Sequence, residues 1–244
     1  MPRFFVNAED ASSGVLSVVG DDARHIARSL RMAEGDSVTL SDGEGTDYLC
    51  RLSRIRDEEC LCEIISSEKS KSEPPSEITL FMAYPKGDKL ETVIQKAVEL
   101  GASAIVPFES SRCIKRPKSD SIQKLALRQN KIAAEAAKQC GRSRMPRVEN
   151  VISFSELLSR IGGYALPLFC YEGPGTESLK NVLASRGVAK SIAVIVGSEG
   201  GFSEEEAEKI VSHGAIAVNL GPRILRCETA PSYCLSALSY FFEL

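Results

Sequence analysis

Apolar and polar residues alternate in short runs along the first 72 residues: GVLSVVG, DSVTLSDG, DYLCRLSRI and CLCEIIS. A period of two is the pattern of half-buried strands, and the turn signals AEGD and DGEG separate the runs. One short helix is expected from about Asp21 to Leu30. Many short strands around a single short helix predict a small β-barrel-like domain over residues 1–72. Ser67 to Glu77, SEKSKSEPPSE, is polar, charged and proline-bearing, so it reads as a linker into a second domain over residues 73–244.

From Ile78 the pattern changes. ITLFMAY is a continuous apolar run, as expected for a strand buried on both faces. In DKLETVIQKAVELG the apolar residues Leu90, Val93, Ile94, Ala97 and Val98 share one helical face, with Asp88 and Glu91 as its expected cap and Gly101 as its stop. SAIVPF follows as a strand, then a long helix from about Ser121 to Gln139. ALPLFCY, SIAVIVG and AIAVNLG read as three further buried strands. Ser203 with Glu206 caps a helix ending at Gly214, and a final helix from Thr229 places Cys234, Leu235, Leu238, Phe241 and Phe242 on one stripe. Strands alternating with helices predict an α/β domain built on a mainly parallel sheet.

Charge changes the picture in one place. Between Arg112 and Arg147 eleven Lys and Arg stand against two acids, an excess of nine positive charges in a chain of net charge −3. The remainder therefore carries −12. One basic segment in an acidic chain suggests a localised footprint for a polyanion, or a solvated helix flanked by basic loops. No apolar run approaches the ~20 residues that span a bilayer. The opening MPRFFVNAEDASSG is unlike a secretory signal, so a cytoplasmic location is expected. Eight scattered cysteines without a C-x-x-C pair, and only His25 and His213 as imidazoles, predict reduced thiols and no metal site.

Three predicted strands end in loops rich in Gly or Pro: YEGPG (171–175), GSEGGFSEEE (197–206) and LGPRILRCETA (220–230). In open α/β sheets ligands bind beyond the carboxyl ends of the strands, so these loops are candidates for one shared site. Neither G-x-x-x-x-G-K-[ST] nor G-x-G-x-x-G occurs, and Glu204, Glu205 and Glu206 fill the first turn where a phosphate site needs positive potential. A neutral or cationic ligand fits better, the alternative being a tight turn with an ordinary cap. Arg223, Arg226 and Glu228 form either a structural ion-pair cluster or part of a site. No G-x-S-x-G occurs, and His213 falls at a helix end away from these loops, which disfavours nucleophilic hydrolysis.

VGSEGGFSEEE paired with LGPRILRCETA resembles the C-terminal signature of SPOUT-class RNA methyltransferases. More narrowly, the chain resembles the bacterial 16S rRNA uridine-N3 methyltransferases, the ribosomal RNA small subunit methyltransferase E family. KGDKLETVIQKAVELGAS, IAAEAAKQCGRSRMP and HIARSLRMAEGD match that family's other blocks, so the likeness covers nearly the whole chain. It implies a PUA-like RNA-binding barrel, then a SPOUT-type α/β domain with a C-terminal trefoil knot, S-adenosyl-L-methionine as cofactor, and a homodimer. Cofactor contacts carried over fall on Gly197, Glu199, Gly200, Leu220, Gly221, Ile224, Leu225 and Arg226, with Phe169 and Tyr171 completing the adenosine pocket. Cys227 stands where the family often has Thr.

That resemblance sets the chemical expectations. Transfer to a uracil ring nitrogen requires loss of the imide proton and stabilisation of the charge left behind. Arg226 or Arg142 is expected to face the uracil oxygens, with Glu228 as first and Glu172 as second candidate proton acceptor. Arg112, Lys115, Arg116, Arg142, Arg144 and Arg147 would contact rRNA phosphates, joined by Arg24, Arg28 and Arg31 on an N-terminal helical face. The 16S rRNA of the small ribosomal subunit is the expected partner. Two readings compete: a SPOUT enzyme acting on another RNA or another atom, and a non-catalytic RNA-binding assembly factor.

Overall fold

The computed structural model describes residues 1–9, 11–114 and 122–244. The chain forms two compact units, one of residues 1–73 with 137–145 and one of residues 74–136 with 146–244.

In the first unit the strands β1 (Arg3–Phe5), β2 (Val15–Val19), β3 (Ser37–Ser41), β4 (Thr46–Ile55) and β5 (Glu59–Lys69) form one sheet in the order β1-β3-β4-β5-β2. Among its described strand pairings, β1–β3 alone is parallel. The alternation read from the sequence points one face of each strand inward: Leu16 and Val18 of β2 and Val38 and Leu40 of β3 are buried with Phe4 and Ile26. The C-x-C spacing has the same cause. Cys60 and Cys62 lie two apart on β5 and both enter this core. The expected helix is shorter than its pattern: α1 (Asp21–Arg24) runs into one wide turn of π type over His25–Ser29, and Arg31 ends it at φ 50°.

The segment expected to be a linker carries structure. β5 continues to Lys69, and Glu73 anchors the residues that follow the long helix. Its Oε1 accepts from the backbone N–H groups of Ser143 and Arg144, each at 2.9 Å, while Arg142 Nη2 donates to Oε2 at 2.6 Å. Lys138 reaches both carboxylate oxygens of Asp22 at 2.7 Å. Residues 137–145 thus belong to the first unit through specific bonds, where the sequence pattern places a single boundary near residue 72.

The second unit is built on a seven-stranded sheet in which every pairing is parallel. Its elements are β6 (Glu77–Ala83), α2 (Lys89–Glu99), β7 (Ala104–Phe108), α3 (Ile122–Cys140, whose last turn lies in the first unit), β8 (Arg147–Val148), α4 (Phe154–Ile161), β9 (Leu166–Cys170), β10 (Glu177–Ser178), α5 (Leu179–Arg186), β11 (Ser191–Val196), α6 (Glu204–Ser212), β12 (Ile216–Asn219) and α7 (Thr229–Phe242). The strand order is β10-β12-β9-β11-β6-β7-β8. Continuous apolar runs become central strands: Leu80 to Ala83 and Ile192 to Val196 are buried throughout.

α2 buries the five residues its period singles out. Its cap differs from expectation. Asp88 has φ −97° and ψ 12°, not the extended backbone that aims a capping side chain, and its carbonyl, not its carboxylate, accepts from Glu91 N–H at 3.1 Å. α6 does carry the expected reciprocal cap between Ser203 and Glu206. On α7 the stripe is buried at Cys234, Leu235 and Leu238, but Phe241 in the last turn is 39% exposed.

Candidate functional site

β9, β11 and β12 are neighbours in the sheet and run parallel, so the loops at their carboxyl ends leave the same edge side by side. Between them lies a cavity of about 590 Å³, lined by residues of all three loops together with Lys89, Arg112 and the start of α7. A lobe of about 190 Å³ continues from it along Asn219 to Leu225.

The turn after β11 is tight because of what packs behind it. Gly201 N–H closes on Ser198 O at 2.9 Å. A Cβ on Gly197 would lie 2.9 Å from the Phe202 ring, and one on Gly200 would lie 3.0 Å from Arg112 Cβ. A side chain at either position would push its neighbour aside, and the bare backbone lines the cavity. Below the loop an aromatic stack forms the floor: Tyr171 lies on Phe169 at 5.0 Å and 15°, and Phe169 meets Phe202 edge-on at 5.0 Å.

The carried-over cofactor residues divide accordingly. Tyr171, Gly197, Glu199, Gly200, Ile224, Leu225 and Arg226 line the main cavity, and Leu220 and Gly221 line the adjoining lobe. Phe169 is fully buried and lies under Tyr171, outside the lining. Of the acids at the head of α6, none lines the cavity: Glu206 serves the cap and accepts from Ser111 N–H at 2.6 Å, and Glu205 pairs with Lys209.

The charge centre of the cavity is a residue that sequence reasoning did not single out. Lys89, at the first position of α2, places Nζ 2.9 Å from Glu199 Oε1 and 3.3 Å from Glu228 Oε2. Glu199 also accepts from Lys86 N–H at 3.2 Å, and Cys227 donates its thiol to Glu228 Oε2 at 3.2 Å. Burial pushes Glu199 up, but the bonds from Lys89 and from backbone N–H groups outweigh it and hold its carboxyl below the usual range. Backbone and Cys227 hydrogen bonds, with Lys89 behind them, likewise hold Glu228 low. Burial, then the bond to Glu228, pushes the Cys227 thiol up to about 12. The cavity therefore presents two carboxylates around one ammonium and a neutral thiol. The only advance sign of Lys89 was a lysine opening α2 on its polar side.

The arginines fall differently from expectation. Arg226 lines the cavity and forms no ion pair among the described residues. Arg223 lines the lobe, and the cation that meets Glu228 is Lys89 rather than either arginine. Arg142 is 2% exposed and bonded to Glu73 in the first unit, outside the lining, so its guanidinium is already engaged. Arg112 lines the cavity and donates to Gly200 O at 3.1 Å. Arg24 pairs with Asp21 and Glu58, and Arg28 pairs with Asp57, while Arg31, Arg144 and Arg147 are exposed. Lys115 and Arg116 lie outside the described residues.

A parallel sheet with a cleft at three adjacent loop ends is the architecture of a cofactor-binding α/β enzyme, and the comparisons define its class. Residues 72–239 match the RNA methyltransferase domain family, and residues 20–65 match the RNA methyltransferase PUA domain. The ribosomal RNA small subunit methyltransferase E of Bacillus subtilis (strain 168) is 34% identical over 251 residues, covering 100% of this chain and 98% of the relative. That of Aquifex aeolicus is 32% identical, covering 96% and 98%. A crystal structure of a ribosomal RNA small subunit methyltransferase E from Neisseria gonorrhoeae, bound to S-adenosyl methionine, superposes with a TM-score of 0.87 at 32% identity, covering 99% and 98%. The chain belongs to the ribosomal RNA small subunit methyltransferase E family of RNA methyltransferases.

Proposed function

We propose that this protein transfers a methyl group from S-adenosyl-L-methionine to N3 of a specific uridine in the 16S rRNA of the small ribosomal subunit. The observation that carries the reading is the convergence of the three loops on one cavity whose chemistry suits that cofactor. A volume of about 590 Å³ accommodates a ligand of nucleoside size. Ser198 lines it with a buried hydroxyl that has no partner among the described residues, and Glu199 and Glu228 offer carboxylates to a sulfonium cation. The Neisseria gonorrhoeae relative was crystallised with S-adenosyl methionine, and the Legionella pneumophila putative methyltransferase, 27% identical with a TM-score of 0.84, with its bound cofactor SAM. Tyr171 and the Gly197, Glu199 and Gly200 turn, with Leu220, Gly221, Ile224, Leu225 and Arg226, hold the cofactor, and Phe169 supports Tyr171 from below.

Bound S-adenosyl-L-methionine supplies an electrophilic methyl group. The chain's own residues prepare the acceptor. Glu228, held ionised at the cavity wall, takes the proton from the uracil imide nitrogen. Arg226, with no carboxylate partner among the described residues, faces the uracil oxygens and stabilises the negative charge that spreads over them. We assign Arg142 no part in this step, its guanidinium being paired with Glu73.

Around this site we assign the finer features that the resemblance implies. The loops after β11 and β12 form a trefoil knot, one of the rare threaded folds. The enzyme works in the cytoplasm as a homodimer, and the exposed Tyr233, Tyr240 and Phe241 of α7 offer an apolar surface for a second copy. Its first unit and the exposed arginines dock rRNA phosphates. The deciding experiment incubates the protein with labelled S-adenosyl-L-methionine and undermethylated small subunits, then maps the modified nucleoside. Labelled N3-methyluridine is expected, and its absence overturns the reading.

A further inference from the structure

We propose that Lys89 is a positioning residue for methyl transfer: it ties the glycine turn after β11 to the start of α7 and holds Glu228 in place as the proton acceptor. The inference rests on the reading of the cavity as the methyl-transfer site.

The geometry places one ammonium between two loops that no other ion pair among the described residues connects. Lys89 Nζ stands 2.9 Å from Glu199 and 3.3 Å from Glu228, and Cys227 Sγ lies 3.9 Å from the same nitrogen. Glu199 belongs to the turn that lines the cavity, and Glu228 precedes the first residue of α7. Lys89 itself is fixed by α2, whose apolar face is buried in the core of the second unit. A helix packed into the core thus carries the cation that sets the spacing of a turn and a helix start. Lys89 Nζ and the Cys227 thiol both reach Glu228 Oε2, so the carboxylate is held by two donors at one oxygen.

Removing the ammonium leaves two carboxylates that both lay within 3.3 Å of one nitrogen, without the cation that paired with each. Like charges at such separation do not both ionise easily, and they titrate as a coupled pair. The other charged groups facing this cavity are Arg112, Glu172 and Arg226, from the segment after β7 and the loops after β9 and β12. Arg112 is engaged by Gly200 O. Without Lys89 the carboxylates take up a proton at a higher pH, and Glu228 is lost as an acceptor there.

The test compares wild type with Lys89→Met and Lys89→Arg in two measurements across pH: single-turnover methylation, and binding of S-adenosyl-L-methionine by calorimetry in the absence of RNA. Lys89→Met is expected to lose about tenfold or more in transfer rate near neutral pH, of the size that misplacing a reacting group produces. Its acid limb moves to higher pH, and the loss in rate exceeds the loss in cofactor affinity. Lys89→Arg restores the wild-type limb, because it restores the charge. Lys89→Gln keeps a donor without the charge and replaces Lys89→Met should the latter fold poorly. An acid limb in the uncharged variants that coincides with wild type, or a loss equal at every pH, overturns the proposal alone. Wild-type protein that binds no S-adenosyl-L-methionine removes the reading of the site, and this proposal with it.

Discussion

Arg142 donates to Glu73 Oε2 through both Nε, at 3.2 Å, and Nη2, at 2.6 Å, and the pair is buried, with side chains 3% and 11% exposed. The other oxygen of Glu73 takes the N–H groups of Ser143 and Arg144. Among the described residues, every bond of this carboxylate therefore fastens residues 142–144 to residue 73 within the first unit.

Removing one partner of a buried pair strands the other, at a cost of about 3–5 kcal/mol. Arg142→Met is expected to lose stability of that order in urea unfolding, and Arg142→Met with Glu73→Leu to regain part of it. Per folded molecule, the methylation rate of Arg142→Met should stay near wild type. A specific loss of rate at full folding would return Arg142 to the catalytic group.

The same pair predicts an acid response. Burial pushes Glu73 up, but the hydrogen bond and charge of Arg142, with the two backbone N–H groups, outweigh it and hold the carboxyl below its ordinary value of 4.5. A depressed folded value means that the stabilisation is present above the unfolded value and is lost as pH falls through the folded one. Unfolding free energy should therefore hold from neutral pH down to about 4.5 on this group's account and decline below it. In Glu73→Gln that portion of the acid slope should disappear, which urea titrations at several pH values would read directly.

Cys227 gives a prediction about reactivity. With its thiol pushed up to about 12 and its hydrogen donated to Glu228, it carries almost no thiolate at pH 8. Iodoacetamide at pH 8 should leave it unmodified, as peptide mass spectrometry would show. Cys227→Thr retains a donor to Glu228 and should keep transfer within about twofold of wild type, whereas Cys227→Ala removes the donor, worth about 1 kcal/mol or a few-fold in rate.

Much of this arrangement was legible in the pattern of residues, and the reason is local. The face of α2, the apolar runs of β6, β9, β11 and β12, and the Ser203–Glu206 cap follow from periodicity and neighbours a few positions apart. Lys89 was not legible. It meets Glu199 and Glu228 across more than a hundred residues of chain, and nothing in LETVIQKAVE distinguishes a cavity lysine from a solvated one. Arg142 and Glu73 were obscured for the same reason: a charged residue in a polar stretch reads as exposed until its partner is known. Phe169 shares a face with Tyr171 two residues on and lies buried beneath its ring, and a motif carried over does not tell a lining residue from the one that supports it.

Phe169 therefore predicts a split between stability and binding. Truncating a buried phenylalanine to alanine costs about 3–5 kcal/mol, so Phe169→Ala should shift the unfolding midpoint strongly. Phe169→Leu keeps most of the volume but removes the ring on which Tyr171 rests. Its stability should fall by less, while calorimetry should show weakened S-adenosyl-L-methionine binding. Unchanged affinity in folded Phe169→Leu would mean that Tyr171 does not depend on the stack.

The salt dependence of RNA binding separates arginines that face phosphate from arginines that face acids. Each phosphate contact neutralised by a protein cation contributes about −0.9 to the slope of log affinity against log salt on a duplex, and about −0.7 on a single strand. Arg28 is bound by Asp57 through Nε at 3.1 Å and through Nη2, and Arg24 is shared between Asp21 and Glu58. Either must give up its acid to take a phosphate, so its net contribution is small. Arg31, by contrast, sits exposed at the end of the same turn with no ion pair among the described residues, and Arg147 is exposed in β8. Arg31→Ala and Arg147→Ala should each flatten the slope by most of one contact, whereas Arg24→Ala and Arg28→Ala should change it much less. Asp57→Asn supplies the reciprocal check: freeing Arg28 should steepen the slope, and a slope that stays at the wild-type value would place the first unit's helical face away from the RNA.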